Sequence, residues 1–464
     1  MVSAHLHWHL IGIKGAGMTA LAELLVGSGK RVTGSDTQEV FYTDTILKRI
    51  GITVSSPFQP ANIPQSTEVI VYSTAYTVEN NTELAAAFAS GIPILSYPEA
   101  LGALTKEKMT LAVCGTHGKT TTAALLAEVL RSTGTDPSAI IGSEIKRWQG
   151  SALVGKGPFF VIEADEYQNK LAHYHPLGVI LTNVDWDHPD YFPTVGAYEQ
   201  IFSDFLNRIP RHGFLVVSGD HARAEFLSRA VAVSRSTYGF LAGNTVRAVE
   251  QRILPASERQ AGALQEFSVE YQGEHLGPFR LQLAGRHNVE NALAVIAVAL
   301  HLKLDLAGLM KGIAGFSGTK RRFEYIGTRQ GALVYDDYAH HPVEIQATLA
   351  AFHELYPDQH LKVIFHPHTF TRTKALFEAF ASSFELAESV SILDIYGSAR
   401  EQQGGVSSQD LVDQINRYTP TKATYAPDRA ALVKKTIREM QAGDVIITMG
   451  AGDVWQIAQA ILET

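Results

Sequence analysis

The 464-residue sequence has one cysteine, Cys114. A lone thiol excludes an intramolecular disulfide framework and any zinc site built from several cysteines. The chain also lacks a basic run: 39 lysines and arginines stand against 47 acidic side chains, for a formal net charge of −8. Nucleic acid and a membrane surface are therefore not expected partners, and an anionic small molecule has to be held by helix N-termini, a metal ion or a few placed arginines. Long hydrophobic runs are missing too. The most apolar helix-like stretch, residues 292–302, ends against Lys303 and Asp305 and is far too short to span a bilayer. Residues 1–9 carry no basic segment leading into an apolar stretch, so no secretory signal is expected and a reducing cytoplasm is the expected location. Short-period repeats and low-complexity tracts are absent.

What is present is a hydrophobic share of 45% with 19% charged residues, the composition of a globular protein with large cores. The length predicts two to four domains. Strand-like apolar runs alternate with helical patterns, which reads as an α/β protein with mainly parallel sheets. Three successive units are expected. The first opens with residues 6–13 and closes near residues 95–98, after which residues 99–104 read as a helix. The second opens with the run 109–114, and the third within residues 323–335, with later strands at 362–365, 391–395 and 444–448.

The second unit carries the most informative motif. Gly115-Thr116-His117-Gly118-Lys119-Thr120-Thr121 follows an apolar strand and precedes a helix-like stretch to Arg131. Strand, glycine loop and helix form a phosphate cradle: backbone N–H groups turn inward, and the helix N-terminus adds partial positive charge. Lys119 is suited to bridging β- and γ-phosphates, and the Thr120 hydroxyl to ligating Mg²⁺. The spacing between the glycines is shorter than in the eight-residue Walker pattern. Two further strands end in polar clusters, Glu163-Ala164-Asp165-Glu166 and Val184-Asp185-Trp186-Asp187-His188. Ligands gather beyond the carboxyl ends of parallel strands, so both clusters are expected to meet the loop. Glu163 and His188 are the expected metal ligands beside Thr120, and with Lys119 the expected catalytic groups. Solvated acidic loops are the bland alternative.

Near the N-terminus, Gly12, Gly15 and Gly17 with Asp36 further on imitate a dinucleotide fingerprint without its Gly-x-Gly-x-x-Gly spacing. The residues alone leave a nicotinamide cofactor and another diphosphate ligand both open.

Together these residues resemble the Mur ligase family, which assembles the peptide stem of the bacterial cell-wall precursor. The resemblance runs through residues 11–18, the glycine loop, 163–166, Thr182-Asn183 with Asp187-His188, and Gly285-Arg286-His287-Asn288-Val289-Glu290-Asn291. It continues through 321–324, 336–342, Pro367-His368 with Arg372-Thr373, and 450–453. It implies three domains: 1–106, Rossmann-like and binding the UDP part of the substrate; 107–317, the central P-loop ATPase with a parallel sheet; and 318–464, Rossmann-like and binding the amino acid. The implied reaction uses ATP and Mg²⁺ to phosphorylate a carboxylate, which an amine then attacks. The alanine-adding branch is the nearest, so UDP-N-acetylmuramate and L-alanine are the expected substrates.

Residue by residue, the resemblance implies that His287, Asn288 and Asn291 lie at the adenine side. Arg322 would reach the phosphates and Asp337 the ribose. His341, His368 and Arg372 would meet the amino acid, with Arg372 pairing bidentately with its carboxylate. Gly15, Ala16, Gly17, Met18 and Asp36 would cradle the UDP group, with Ser73 and Thr74 as a second contact strip. Other branches use a carbamylated lysine after the Asp-His segment, but this chain has no lysine between Lys170 and Lys303. The stretch 398–401 with 405–408 also resembles the alanine-adding branch rather than the ligase that recycles murein tripeptide. That recycling ligase, a nicotinamide oxidoreductase and a nucleotide-switched binding module are the competing expectations.

Overall fold

The computed structural model describes residues 4–259, 262, 264–397 and 404–463, so the motif at 398–401 lies outside the described residues. Three sheets follow one another along the chain. The first has strands β1 (His7–Ile11), β2 (Arg31–Ser35), β3 (Val54–Ser55), β4 (Val69–Tyr72) and β5 (Ile94–Ser96), all parallel, in the order β3-β2-β1-β4-β5. β1 is buried along its whole length, as a strand covered on both faces must be. The strand order reverses between β1 and β4, which opens a crevice past their carboxyl ends. The helix expected at 99–104 spans Tyr97–Thr105. Pro98 stands in its first turn, and Ser96 and Glu99 form a capping box.

The second sheet holds β6 (Met109–Cys114), β7 (Ser138–Ile145), β8 (Gly150–Leu153), β9 (Phe159–Glu163), β10 (Gly178–Leu181), β11 (Phe214–Ser218), β12 (Ser234–Gly239), β13 (Val246–Ile253), β14 (Gln265–Tyr271) and β15 (Glu274–Leu281). Their order is β15-β14-β13-β12-β11-β10-β6-β9-β7-β8. The middle is parallel, but β13-β14-β15 and the β7-β8 hairpin are antiparallel, an extension that the alternating strand–helix reading does not contain. β6 lies between β10 and β9, so the segments following all three strands emerge side by side. The helix Lys119–Ser132 is buried from Thr120 to Leu130. Each large aliphatic side chain so enclosed contributes about 1.5–3 kcal/mol, which gives the glycine loop a firm base.

The third sheet contains β16 (Glu324–Arg329), β17 (Ala332–Asp337), β18 (His360–Phe365), β19 (Ser389–Ile392), β20 (Ala423–Tyr425) and β21 (Asp444–Met449), in the order β16-β17-β21-β18-β19-β20. Only β16 runs antiparallel to its neighbour. Two apolar clusters cover its two faces, one around Phe352, Phe365 and Phe380, the other around Val334, Ile446 and Ile457.

The first unit is braced on the second. Its helix Ala16–Gly27 lies on the β7-β8 hairpin, and buried Glu23 accepts hydrogen bonds from Ser151 N at 2.7 Å and Arg49 Nη2 at 2.5 Å. Among the described residues no helix is long and apolar enough to cross a membrane.

Candidate active site

The glycine loop is built by its neighbours before any ligand arrives. Gly118 stands at φ +80°, and a Cβ there would lie 2.6 Å from Asn291 Oδ1, so only glycine lets the chain turn into the helix this close to the Asn291 amide. The Asn183 side chain accepts from Thr116 N at 3.1 Å and His117 N at 2.7 Å, while Thr182 Oγ1 donates to His117 O at 2.7 Å. Thr116 Oγ1 donates to Asp185 O at 2.8 Å. Beyond Gly118 the first-turn N–H groups of the helix have no intrahelical acceptor, the usual anchor for a phosphate.

Lys119 Nζ donates to the carbonyls of Gly115 at 2.6 Å and Thr116 at 3.0 Å, and pairs with Glu166 Oε2 at 2.8 Å. Burial by itself would lower its pKa; Glu166, Asp165 and Glu163 outweigh that and hold the ammonium above its ordinary value. Thr120 Oγ1 donates to Glu163 Oε1 at 2.5 Å, and Glu163 Oε2 accepts from Gly142 N at 2.6 Å. Thr121 is buried in the same first turn.

Two of the three expected metal ligands, Thr120 and Glu163, are therefore joined directly. His188 sits at φ +54°, a left-handed conformation uncommon outside glycine, with Nε2 3.8 Å from both Glu166 Oε1 and Asp187 Oδ2 and its ring against Tyr167 at 4.7 Å. Among the described residues no group of three or more His, Cys, Asp and Glu converges as a protein-only metal cage. A hydroxyl and one carboxylate at a phosphate loop are nonetheless the donor set for Mg²⁺, which keeps several waters and takes phosphate oxygens instead of a full protein shell.

The third sheet sends a second group of side chains into the same place. Glu344 Oε1 lies 3.2 Å from His117 Nδ1 and 3.7 Å from Arg322 Nη1, and its Oε2 lies 3.3 Å from His340 Nδ1. Burial would raise this carboxyl, yet His340, His117 and Arg322 hold it well below the usual range. Arg322 also lies over Tyr338, 5.0 Å from the ring centroid. The His341 ring is 4.7 Å from that of His117, and burial lowers its pKa to about 4. Arg372 pairs with Asp187 across the cleft, and its Nη1 is 3.2 Å from His368 Nδ1.

Other expected site residues face inward. Asp337 accepts from the backbone of Phe323 and Ala339 at 2.7 and 2.8 Å, and burial lifts its carboxyl to about 6. Asn288 Nδ2 donates to Ala284 O at 2.7 Å, and Asn291 links Asn288 to Thr122. His287 is pushed down to about 4 by burial and by Arg322. Both asparagine amides are thus engaged in carrying the loop from behind.

At the first sheet, Gly15, Ala16, Gly17 and Met18 begin the helix beyond β1, and Ser73 and Thr74 follow β4, so both strips border the switch-point crevice. Asp36 is turned under the loop: it accepts from Lys14 N at 2.7 Å, Thr37 N at 2.8 Å and Tyr76 OH at 3.2 Å. A nicotinamide site needs that carboxylate free for a ribose diol. Here it is a structural brace. Thr74 Oγ1 donates to Gln168 Oε1 of the second unit at 3.1 Å.

Sequence reasoning passed over four residues that the geometry makes central. Glu166, Asn183 and Asp187 lie inside the motifs already singled out, but a motif does not tell which member faces the loop. Glu344 stands in the first turn of a helix opened by His341 and Pro342, which was the available signal.

The similarity of the chain to known proteins follows the same three-part layout. Residues 7–109 match the Mur ligase family catalytic domain, 113–299 the Mur ligase middle domain, and 321–452 the Mur ligase glutamate ligase domain. A UDP-N-acetylmuramate–L-alanine ligase of Desulfitobacterium hafniense is 37% identical over 98% of this chain and 99% of its own. The chain belongs to the Mur ligase family. Another relative of the same description, from Solidesulfovibrio magneticus, is 38% identical over 98% of this chain and 97% of its own. Among solved structures, the UDP-N-acetylmuramate-alanine ligase of Thermotoga maritima superposes with a TM-score of 0.82 at 26% identity, covering 99% of each chain. A murein peptide ligase of Psychrobacter arcticus superposes at 0.71 with 25% identity over 99% of this chain and 98% of that one.

Proposed function

We infer that this Mur ligase joins L-alanine to UDP-N-acetylmuramate at the expense of ATP, a step of peptidoglycan precursor synthesis. The observation that carries the reading is the loop with Lys119 and the Thr120–Glu163 pair at its mouth, in a chain similar end to end to alanine-adding ligases.

The units would divide the work as 1–106 for the UDP-substrate, 107–317 for ATP and 318–464 for the amino acid. The muramyl carboxylate attacks the γ-phosphorus of ATP and ADP leaves. The amine of alanine then attacks the acyl phosphate, phosphate departs with the bonding pair, and the amine loses a proton. Thr120 and Glu163, with His188 nearby, would hold Mg²⁺, which when bound neutralises charge on the transferring phosphoryl group. The chain's own contribution is positioning and fixed charge. Lys119 and the helix N-terminus stabilise the phosphoryl oxygens, and Arg322 adds a cation from the third unit. Asn183 keeps the loop shaped, while Asn288 and Asn291 support it and His287 borders the adenine side. Asp337 anchors the turn that presents Arg322 to the nucleotide. Arg372, His341 and His368 receive the amino acid, and its carboxylate pairs with the guanidinium. Closing the units around the acyl phosphate keeps water away from it. This reading carries a cytoplasmic location with it, since that is where ATP is supplied.

The test is an ADP-release assay with UDP-N-acetylmuramate and a panel of amino acids, with the murein tripeptide as a separate arm. ADP release and product should require alanine. Turnover with the tripeptide and none with alanine would move the chain to the recycling branch.

A further inference from the structure

The pairing of Arg372 with Asp187 goes beyond holding two charges together. The residues are 185 positions apart, on the third and second units, and both are almost fully enclosed, at 3% and 5% exposure. Arg372 Nε donates to Asp187 Oδ1 at 2.9 Å and Nη2 to Oδ2 at 3.2 Å, so the carboxylate lies along one side of the guanidinium. A guanidinium has two edges able to hold a carboxylate bidentately, Nε with one Nη and the two Nη groups together. Asp187 occupies the first. On the second edge His368 holds Nη1, with Nδ1 at 3.2 Å and its carbonyl at 3.4 Å, so a ligand carboxylate arriving there takes the outer N–H of Nη2 and displaces a His368 contact from Nη1.

Both partners are themselves fixed. Asp187 Oδ1 also accepts from His188 N at 2.7 Å. Arg372 stands in the short helix Phe370–Ala375, whose cap, Thr369, has φ +67° and accepts from Arg372 N at 3.4 Å. A β-branched residue in that region is strained and persists only where its surroundings over-determine it.

We propose that Asp187 is a positioning residue for the amino-acid substrate. By gripping the side of Arg372 it turns the outer Nη edge towards the incoming carboxylate, and it completes the amino-acid subsite only when the second and third units are together. This rests on the reading that Arg372 meets the amino-acid carboxylate. Binding of the amino acid is thereby tied to closure over the ATP loop.

The test is steady-state kinetics on the full-length Asp187→Asn, Arg372→Lys and double variants, with Arg372→Ala as reference and melting curves as the folding check. Asp187→Asn keeps the size and one acceptor but loses the charge. Its alanine KM should rise about tenfold or more, with kcat and the KM values for ATP and UDP-N-acetylmuramate within about threefold. Arg372→Lys keeps the charge but loses the fork, and should raise the alanine KM alike. The double variant should add little to either single one, because both break the same contact. An unchanged alanine KM in Asp187→Asn overturns the proposal, as does an equal rise in all three KM values. If Arg372→Ala leaves the alanine KM unchanged, the assignment of Arg372 itself falls.

Discussion

Lys119 and Glu166 form an ion pair at 2.8 Å beneath the glycine loop, and the carbonyls of Gly115 and Thr116 take other donors of the same ammonium. The lysine is folded back onto its own loop, with its charge kept by three carboxylates. All three ammonium donors are taken, so a triphosphate entering here meets a desolvated cation at the mouth of its cradle and engages it by replacing one of these acceptors.

Removing that cation should therefore cost the chemical step, and it leaves buried Glu166 without its partner, so the variant should also melt lower. Lys119→Ala is expected to lower kcat by about a thousandfold, roughly 4 kcal/mol of transition-state stabilisation. The dissociation constant for UDP-N-acetylmuramate should stay within about twofold, since the cradle proposed for it belongs to the first sheet. Near-normal turnover would refute the role given to Lys119.

Gly118 and Asn291 offer a sharper test of the loop's architecture. Gly118→Ala should cost about 1 kcal/mol for the left-handed backbone, plus whatever the loop loses in avoiding the Asn291 amide. The added Cβ would lie only 2.6 Å from that oxygen. Asn291→Ala removes the clash together with the amide's bonds to Thr122 and Asn288, so the comparison is made within that background: adding Gly118→Ala to Asn291→Ala should raise the ATP KM by less than Gly118→Ala does in wild type. If Gly118→Ala raises the ATP KM by the same factor in both backgrounds, steric contact with Asn291 is not what demands glycine.

These examples also mark how far the sequence could be read. The phosphate loop was legible because an apolar strand, two glycines, Lys119-Thr120 and a helical stretch all lie within about twenty neighbouring residues. β18, β19 and β21 of the third sheet were legible for a similar local reason, as apolar runs between polar turns, whereas β16 and β17 lie within what reads as one opening run and pair as an antiparallel hairpin. The short β20 was not, because three residues carry no period. The antiparallel strands β13–β15 escaped because partner choice is a tertiary matter. Asn288 and Asn291 are expected from the sequence at the adenine side, yet in the fold their amides turn inward behind the glycine loop, which depends on Ala284 and Thr122. Pairs such as Arg372 with Asp187 leave no trace in a single sequence.

Buried imidazoles should make the fold acid-sensitive. Burial, with His117 nearby for His341 and Arg429 for His366, lowers both from 6.5 to about 4. A folded-state pKa below the unfolded one contributes stability that is present above pH 6.5 and is lost as pH falls through about 4. Each should cost about 1–2 kcal/mol between pH 7 and pH 5. Asp337, raised to about 6 by burial, acts in the opposite direction over part of that range. The clean measurement is the difference in melting temperature between wild type and His366→Gln at each pH, in which Asp337 cancels. His366→Gln should lose less stability than wild type on acidification; parallel pH profiles would show that His366 is not neutral in the fold.

The contact between Thr74 and Gln168 is expected to link the crevice proposed for the UDP group to the acidic end of β9. Gln168 and Asn169 stand at φ +57° and +55°, consecutive left-handed residues without a glycine, separated from Glu166 only by Tyr167. Such a turn costs roughly 1 kcal/mol or more per residue; within it Asn169 N donates to Glu166 O at 3.0 Å, and towards the first unit Gln168 accepts the 3.1 Å hydrogen bond from Thr74 Oγ1. Gln168→Gly should relieve the backbone by about 1 kcal/mol and lose a hydrogen bond of similar worth, leaving stability near wild type. The KM for UDP-N-acetylmuramate should nevertheless rise severalfold, because the first unit loses its register on the segment that carries Glu163 and Glu166. Thr74→Ala should reproduce the KM effect without the backbone relief, so it should also melt slightly lower. Wild-type KM values in both variants would mean that the strained turn serves the second unit alone.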